Sequence, residues 1–82
     1  MTQQEIQKEA RQIIANVLGV NVEECSDNAD FIEDLGADSL DAVEIIMETE
    51  TKFDIAIQEG EADNIKTIKD YVDALLKKIP SS

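Results

Sequence analysis

The chain has no histidine and a single cysteine, Cys25, among its 82 residues. Without imidazole, most zinc sites and every histidine-based catalytic dyad or triad are excluded. One thiol cannot close an intramolecular disulfide, which suits a reducing compartment. Glycine (3), proline (1) and aromatic residues (4%) are scarce, a composition wrong for a β-sandwich or barrel and right for helices. Positive charge is short as well: 7 Lys and Arg stand against 19 Asp and Glu, a formal net charge of −12. Such a charge repels nucleic-acid phosphates and anionic membrane surfaces, and favours basic protein partners or cations. Apolar runs stop at three residues, as in Ile45-Ile46-Met47, so no membrane insertion is expected. The opening Met1-Thr2-Gln3-Gln4-Glu5 is polar and lacks the apolar region of a signal peptide. What is present is 43% hydrophobic, enough for a core, in a length that suits one small domain over residues 1–82.

Helical spacing organises most of that apolar content. Thr2 and Glu5 have the S/T-x-x-E spacing of a capping box. Ile6, Ala10, Ile13, Ile14, Val17 and Leu18 follow as one stripe, and Gly19 suits a left-handed helix end. This predicts a helix over about 3–18. Residues 20–37 have no sustained period; they read as a long ordered loop pinned by Val20, Val22, Phe31, Ile32 and Leu35, with Cys25 a small packed hydrophobe. Asp38 is a good N-cap and Asp41 adds a first-turn carboxylate, predicting a second helix over about 38–52. Its apolar residues form two faces: Ala42, Ile45, Ile46 and Thr49 inward, and Leu40, Val43 and Met47 as a second stripe. Phe53, Ile55 and Ile57 alternate with polar or small residues but have no partner strand, so they read as an extended loop. A short helix over about 59–65 is weakened by Gly60, with Ala62 and Ile65 inward. Thr67 caps the last helix, about 67–78, whose stripe includes Ile68, Tyr71, Val72 and Leu75, with the Tyr71 ring at the core edge; Pro80 stops it. The expected fold is all-α: a small bundle of three main helices plus one short helix.

Charge is distributed unevenly. Between Gln12 and Thr51 the chain carries acids and no base. Asp41, Glu44 and Glu48 recur at i, i+3 and i+7 and share one helical face, beside the stripe of Leu40, Val43 and Met47. Alone, an acidic run is a solvated face. Acids that rim an exposed apolar stripe read as a docking surface, here Asp41, Glu44 and Glu48 around Leu40, Val43 and Met47. An EF-hand fails by position: counted from Asp27, the third residue is Ala29 and the sixth is Ile32, where glycine is required. No specific metal site is expected, only weak divalent binding along the acidic run.

The segment Phe31-Ile32-Glu33-Asp34-Leu35-Gly36-Ala37-Asp38-Ser39-Leu40-Asp41 closely resembles the signature of acyl carrier proteins, in which the serine of Asp-Ser-Leu bears a 4′-phosphopantetheine arm. Val43-Glu44, Met47, Phe53-Asp54-Ile55, Ile57, Ala62, Ile65 and Lys66-Thr67-Ile68 continue the resemblance over most of the chain. It implies that Ser39 is the attachment residue and that the chain is a carrier, not an enzyme. A holo-carrier synthase, a phosphopantetheinyl transferase, would load Ser39 from coenzyme A. The arm would then hold acyl thioesters for the enzymes of fatty acid synthesis, whose basic patches would pair with Asp38, Asp41, Glu44, Glu48 and Glu50, with Leu40, Val43 and Met47 in apolar contact. An aliphatic pocket of Ile45, Ile46, Ile57, Ile65 and Ile68 would shield the chain. The protein would be monomeric and located in the bacterial cytoplasm, or in a plastid or mitochondrion after loss of a transit peptide. The alternatives are a carrier for polyketide, lipoic acid precursor or D-alanyl transfer, or an unmodified acidic helical interaction module. Thr49 departs from the family, standing where an apolar core residue is usual.

Overall fold

Capping chemistry sets the helix starts. The computed structural model describes residues 1–79, so the stop expected at Pro80 lies outside the described residues. Helix α1 spans Gln3–Leu18: Thr2 Oγ1 accepts the Glu5 N–H at 3.1 Å and the Glu5 carboxylate accepts the Thr2 N–H at 3.0 Å. At its far end Gly19 takes φ 69° and donates its N–H to Ala15 O. A single 3₁₀ turn follows at Val22–Glu24, then α2 at Ser39–Phe53, α3 at Glu59–Asp63 and α4 at Ile68–Lys78. Helix α4 begins like α1, with Thr67 and Asp70 exchanging the same pair of capping bonds. The fold is mostly helical, with no strand among the described residues.

Helix α1 packs against both α2 and α4. Ile6 and Ile14 of α1 and Ile68 and Leu75 of α4 are fully buried, with Ile45 of α2 closing the core. The Cα radius of gyration is 11.5 Å, close to the ~12 Å of a compact chain of this length. The negative charge therefore does not hold the chain open.

The loop between α1 and α2 is tied down differently from expectation. Val20, Phe31 and Leu35 pack on the core, but Val22 lies at the surface and Ile32 is 71% exposed. Cys25 and Ala29 are buried in their place. Backbone bonds to the start of α4 account for the difference. Ile68 N–H reaches Ala29 O at 3.0 Å, Phe31 N–H reaches Lys66 O at 3.1 Å and Lys69 N–H reaches Asp27 O at 3.0 Å. Arg11 holds the loop from the other side, donating Nε to Cys25 O at 3.0 Å and pairing with Asp27. Asp30, only 8% exposed, turns the chain: its Oδ1 accepts the Ile32 and Glu33 N–H groups at 2.8 and 2.9 Å. Phe31 thereby faces the core and Ile32 faces out. Burial, with the Glu24 charge second, pushes the Cys25 thiol up, which keeps it a packing residue.

These caps make the fold sensitive to acid. Backbone N–H groups hold the carboxyls of Glu5, Asp30 and Asp70 below the usual carboxylate range. A carboxyl depressed in the folded state contributes stability above its unfolded value of about 4, and loses that contribution as pH falls through the folded value. The expected result is that stability between about pH 5 and 3 changes less steeply in Asp30→Asn, which lacks one such carboxyl, than in the wild type. Denaturant titrations across this range check it, and equal slopes contradict the role of Asp30.

Candidate functional site

Ser39 is the first residue of α2, and its environment is set by the turn before it. Asp34 and Leu35 donate their N–H groups to Asp30 O, and Ala37 donates to Phe31 O at 2.7 Å. Gly36 takes φ 72°, with nothing within 4 Å of where a Cβ would sit. The glycine is required by backbone conformation, not by crowding. Gly36→Ala is expected to cost about 1 kcal/mol and to lower Tm by several degrees. Thermal melting checks this, and an unchanged Tm would mean that the turn relaxes freely.

Asp38, at φ −113°, is the N-cap. Its Oδ1 accepts the Asp41 N–H at 2.9 Å, while Asp41 Oδ2 accepts the Asp38 N–H at 3.2 Å. Ser39 is thus not the cap. It is exposed, and its hydroxyl has no hydrogen-bond partner among the described residues. The hydroxyl lies at the positive end of a 15-residue helix, where first-turn N–H groups and the helix dipole favour a phosphate. With no histidine in the chain and the neighbouring Asp38 and Asp41 carboxylates engaged in the cap, nothing equips Ser39 as a self-activating nucleophile. The arrangement suits a hydroxyl that another enzyme modifies.

Beside Ser39 a cleft of about 440 Å³ runs inward between the helices. Ile45, Ile46, Ile57 and Ile65 line it, together with Phe31, Ile32, Ala37, Ala42, Ala62 and Tyr71. Ile68 does not. It is fully buried in the core, because it lies with Val72 and Leu75 on the central stripe of α4. Tyr71, expected at the core edge, is 3% exposed, and its ring meets Phe31 edge-on with centroids 5.9 Å apart. Its hydroxyl lies 2.7 Å from Thr49 Oγ1, which also bonds Ile45 O at 2.6 Å. Thr49 is fully buried, so this bond is what makes a polar residue tolerable there. Burial pushes the Tyr71 phenol up to about 12, so it stays protonated. The sequence gives one signal for this pair, a threonine at an inward position of α2.

The outer face of α2 carries the other expected residues. Leu40, Val43 and Met47 are 79%, 55% and 61% exposed. Glu44 and Glu48 are exposed beside them. Asp38 and Asp41 hold the helix start as well as bordering this face. Glu50 does not belong with these acids. It is half-buried, and its Oε2 accepts the Ile57 N–H at 2.9 Å, bracing the loop after α2 from the last turn of the helix. Ala42, expected inward, is exposed at the mouth of the cleft. Among the described residues no group of Cys, Asp or Glu side chains is placed to hold a metal ion, and no helix is long and apolar enough to cross a membrane.

Comparison with known proteins agrees with this geometry. Residues 8–75 match a family profile described as a phosphopantetheine attachment site. An acyl carrier protein of Chlorobium phaeobacteroides is 41% identical over 78 residues, covering 95% of this chain and all of the relative. Acyl carrier proteins of Chlorobium phaeovibrioides and Chlorobium luteolum are each 42% identical with the same coverage. A solved Mycobacterium tuberculosis chain, described as a candidate acyl carrier protein, superposes with a TM-score of 0.80 at 33% identity, covering 85% of this chain and 93% of that one.

Proposed function

Since the chain belongs to the acyl carrier protein family and carries its phosphopantetheine attachment domain, we propose that Ser39 is the attachment residue and that the carrier serves fatty acid synthesis. Membership makes the chain a carrier, not a catalyst, with 4′-phosphopantetheine as its cofactor. The observation that carries the assignment to Ser39 is its exposed hydroxyl at the head of α2, without a hydrogen-bond partner among the described residues and beside an apolar cleft. A phosphopantetheinyl transferase forms the bond between Ser39 Oγ and phosphorus while the pyrophosphate link of coenzyme A breaks; adenosine 3′,5′-bisphosphate leaves, and the hydroxyl proton passes to a base supplied by that transferase. When bound, the arm supplies a terminal thiol that holds acyl groups as thioesters.

The chain's own residues then do two things. The cleft takes apolar surface out of water, at roughly 25 cal/mol for each Å² removed. The outer face of α2 offers Glu44 and Glu48 to basic patches on synthases, reductases and dehydratases, with Leu40, Val43 and Met47 making short-range apolar contact. Such contacts favour fast, transient association. On this reading the protein is a single carrier domain over residues 1–82, acts as a monomer, and works in the cytoplasm of a bacterium, as its Chlorobium relatives suggest. Mass spectrometry of the thioesters on protein from its native source tests the pathway. Saturated, 3-oxo and 3-hydroxy acyl groups of graded length are expected. D-Alanine, a lipoic acid precursor alone, or branched polyketide units would assign it to another pathway.

A further inference from the structure

The cleft beside Ser39 is lined on its buried side by a side chain held at both its hydroxyl and its ring. Tyr71 is 3% exposed and lines the inner part of the cleft, whereas Ser39 is exposed at its mouth. Thr49 Oγ1 has one proton, and the Ile45 carbonyl at 2.6 Å takes it. The proton in the 2.7 Å contact between Thr49 and Tyr71 is therefore the tyrosine's. This gives a buried relay, Tyr71 O–H to Thr49 O–H to Ile45 C=O, in which both donors are satisfied. Phe31 meets the same ring edge-on from the loop. To swing aside, Tyr71 would have to leave its hydroxyl unpaired in the core and give up the aromatic contact.

We propose that Thr49 and Tyr71 act together as a length stop for the acyl group carried at Ser39. Tyr71 is the inner wall that a long chain meets, and Thr49 is the positioning residue that seats it. At about 30 Å³ for each water-sized group, a cleft of about 440 Å³ holds on the order of ten to fifteen such groups. The thioester end of the arm occupies part of that space. The cleft therefore fits acyl chains of short to medium length, and the far end of a longer chain stays outside. The inference rests on Ser39 bearing the arm, and loading is measured separately so that the two can fail independently.

The test compares the thermal stability of wild-type protein loaded with butanoyl, octanoyl or hexadecanoyl phosphopantetheine, each confirmed by intact mass. A sequestered chain stabilises the folded state to which it binds. In the wild type Tm is expected to rise from butanoyl to octanoyl and to rise no further with hexadecanoyl. In Tyr71→Leu the hexadecanoyl form is expected to melt several degrees above the octanoyl form. The paired variant Thr49→Val with Tyr71→Phe keeps the volume, deletes the relay and leaves no orphaned donor. It should give a smaller shift of the same sign, and it carries the test if Tyr71→Leu does not fold. A wild-type Tm that keeps climbing to hexadecanoyl, or variants that keep the wild-type plateau, would overturn the length stop while leaving the attachment reading intact. A wild-type chain that gains no arm removes the attachment reading and this inference with it.

Discussion

Ser39→Ala is expected to fold like the wild type and to gain no mass when incubated with a phosphopantetheinyl transferase and coenzyme A. The loss of loading should be complete, because the hydroxyl oxygen is the atom to which phosphorus bonds. The stability change should stay within about 0.5 kcal/mol, as for surface substitutions away from caps and cores. The structure supplies the reason: Asp38 and Asp41, not Ser39, exchange the capping bonds of α2. Circular dichroism and intact mass on the same sample check both halves. Incorporation of the arm by the variant would contradict the assignment of Ser39.

The second large effect is expected at the outer face of α2. Asp41 is a poor choice for charge reversal, because its carboxylate accepts the Asp38 N–H and its loss would disturb the helix start. Glu44 and Glu48 are exposed and share its face. Glu44→Lys with Glu48→Lys should slow association with a carrier synthase by about tenfold or more at low salt, within the range of electrostatically steered encounters. The variant should also show a flatter dependence on ionic strength, because fewer charges remain to be screened. Stopped-flow association at low and high salt measures both. If wild-type rates are insensitive to salt, these acids serve solubility and not docking.

The helices are legible in the sequence because their signals are local. Each of α1, α2 and α4 begins with an acceptor side chain three residues before an acid, and the reciprocal capping bonds follow from that spacing. Gly19 likewise marks the end of α1 within its own last turn. The loop is less legible because its restraints come from far along the chain. Nothing around Ile32 signals that Asp30 turns its N–H inward, or that Ala29 and Phe31 bond to residues at the start of α4. Ile32 therefore reads as a packing residue yet lies at the surface. At the site, Ser39 and the exposed stripe of Leu40, Val43 and Met47 are readable from the motif and the helical period. Glu50 is misread because it is grouped with the acidic run, although it stands two residues after Glu48 and so on a different side of the helix, and its partner is a backbone N–H seven residues on. Ile68 is misread because periodicity gives the buried face of α4 but not which part of that face borders the cleft. The Tyr71–Thr49 bond joins residues on two helices, and side-chain spacing within either helix cannot reveal it.

The central claim, that this chain carries phosphopantetheine on Ser39, is tested most directly by peptide mapping of wild-type protein after reaction with a transferase and coenzyme A. No Lys or Arg lies between Gln12 and Thr51, so the fragment that contains Ser39 also contains Ser26, another exposed hydroxyl. Fragmentation of that peptide is expected to locate the whole mass increase on Ser39 and none on Ser26. An increase on Ser26 or any other residue, or an unmodified Ser39 under conditions that load a known carrier, would contradict the account.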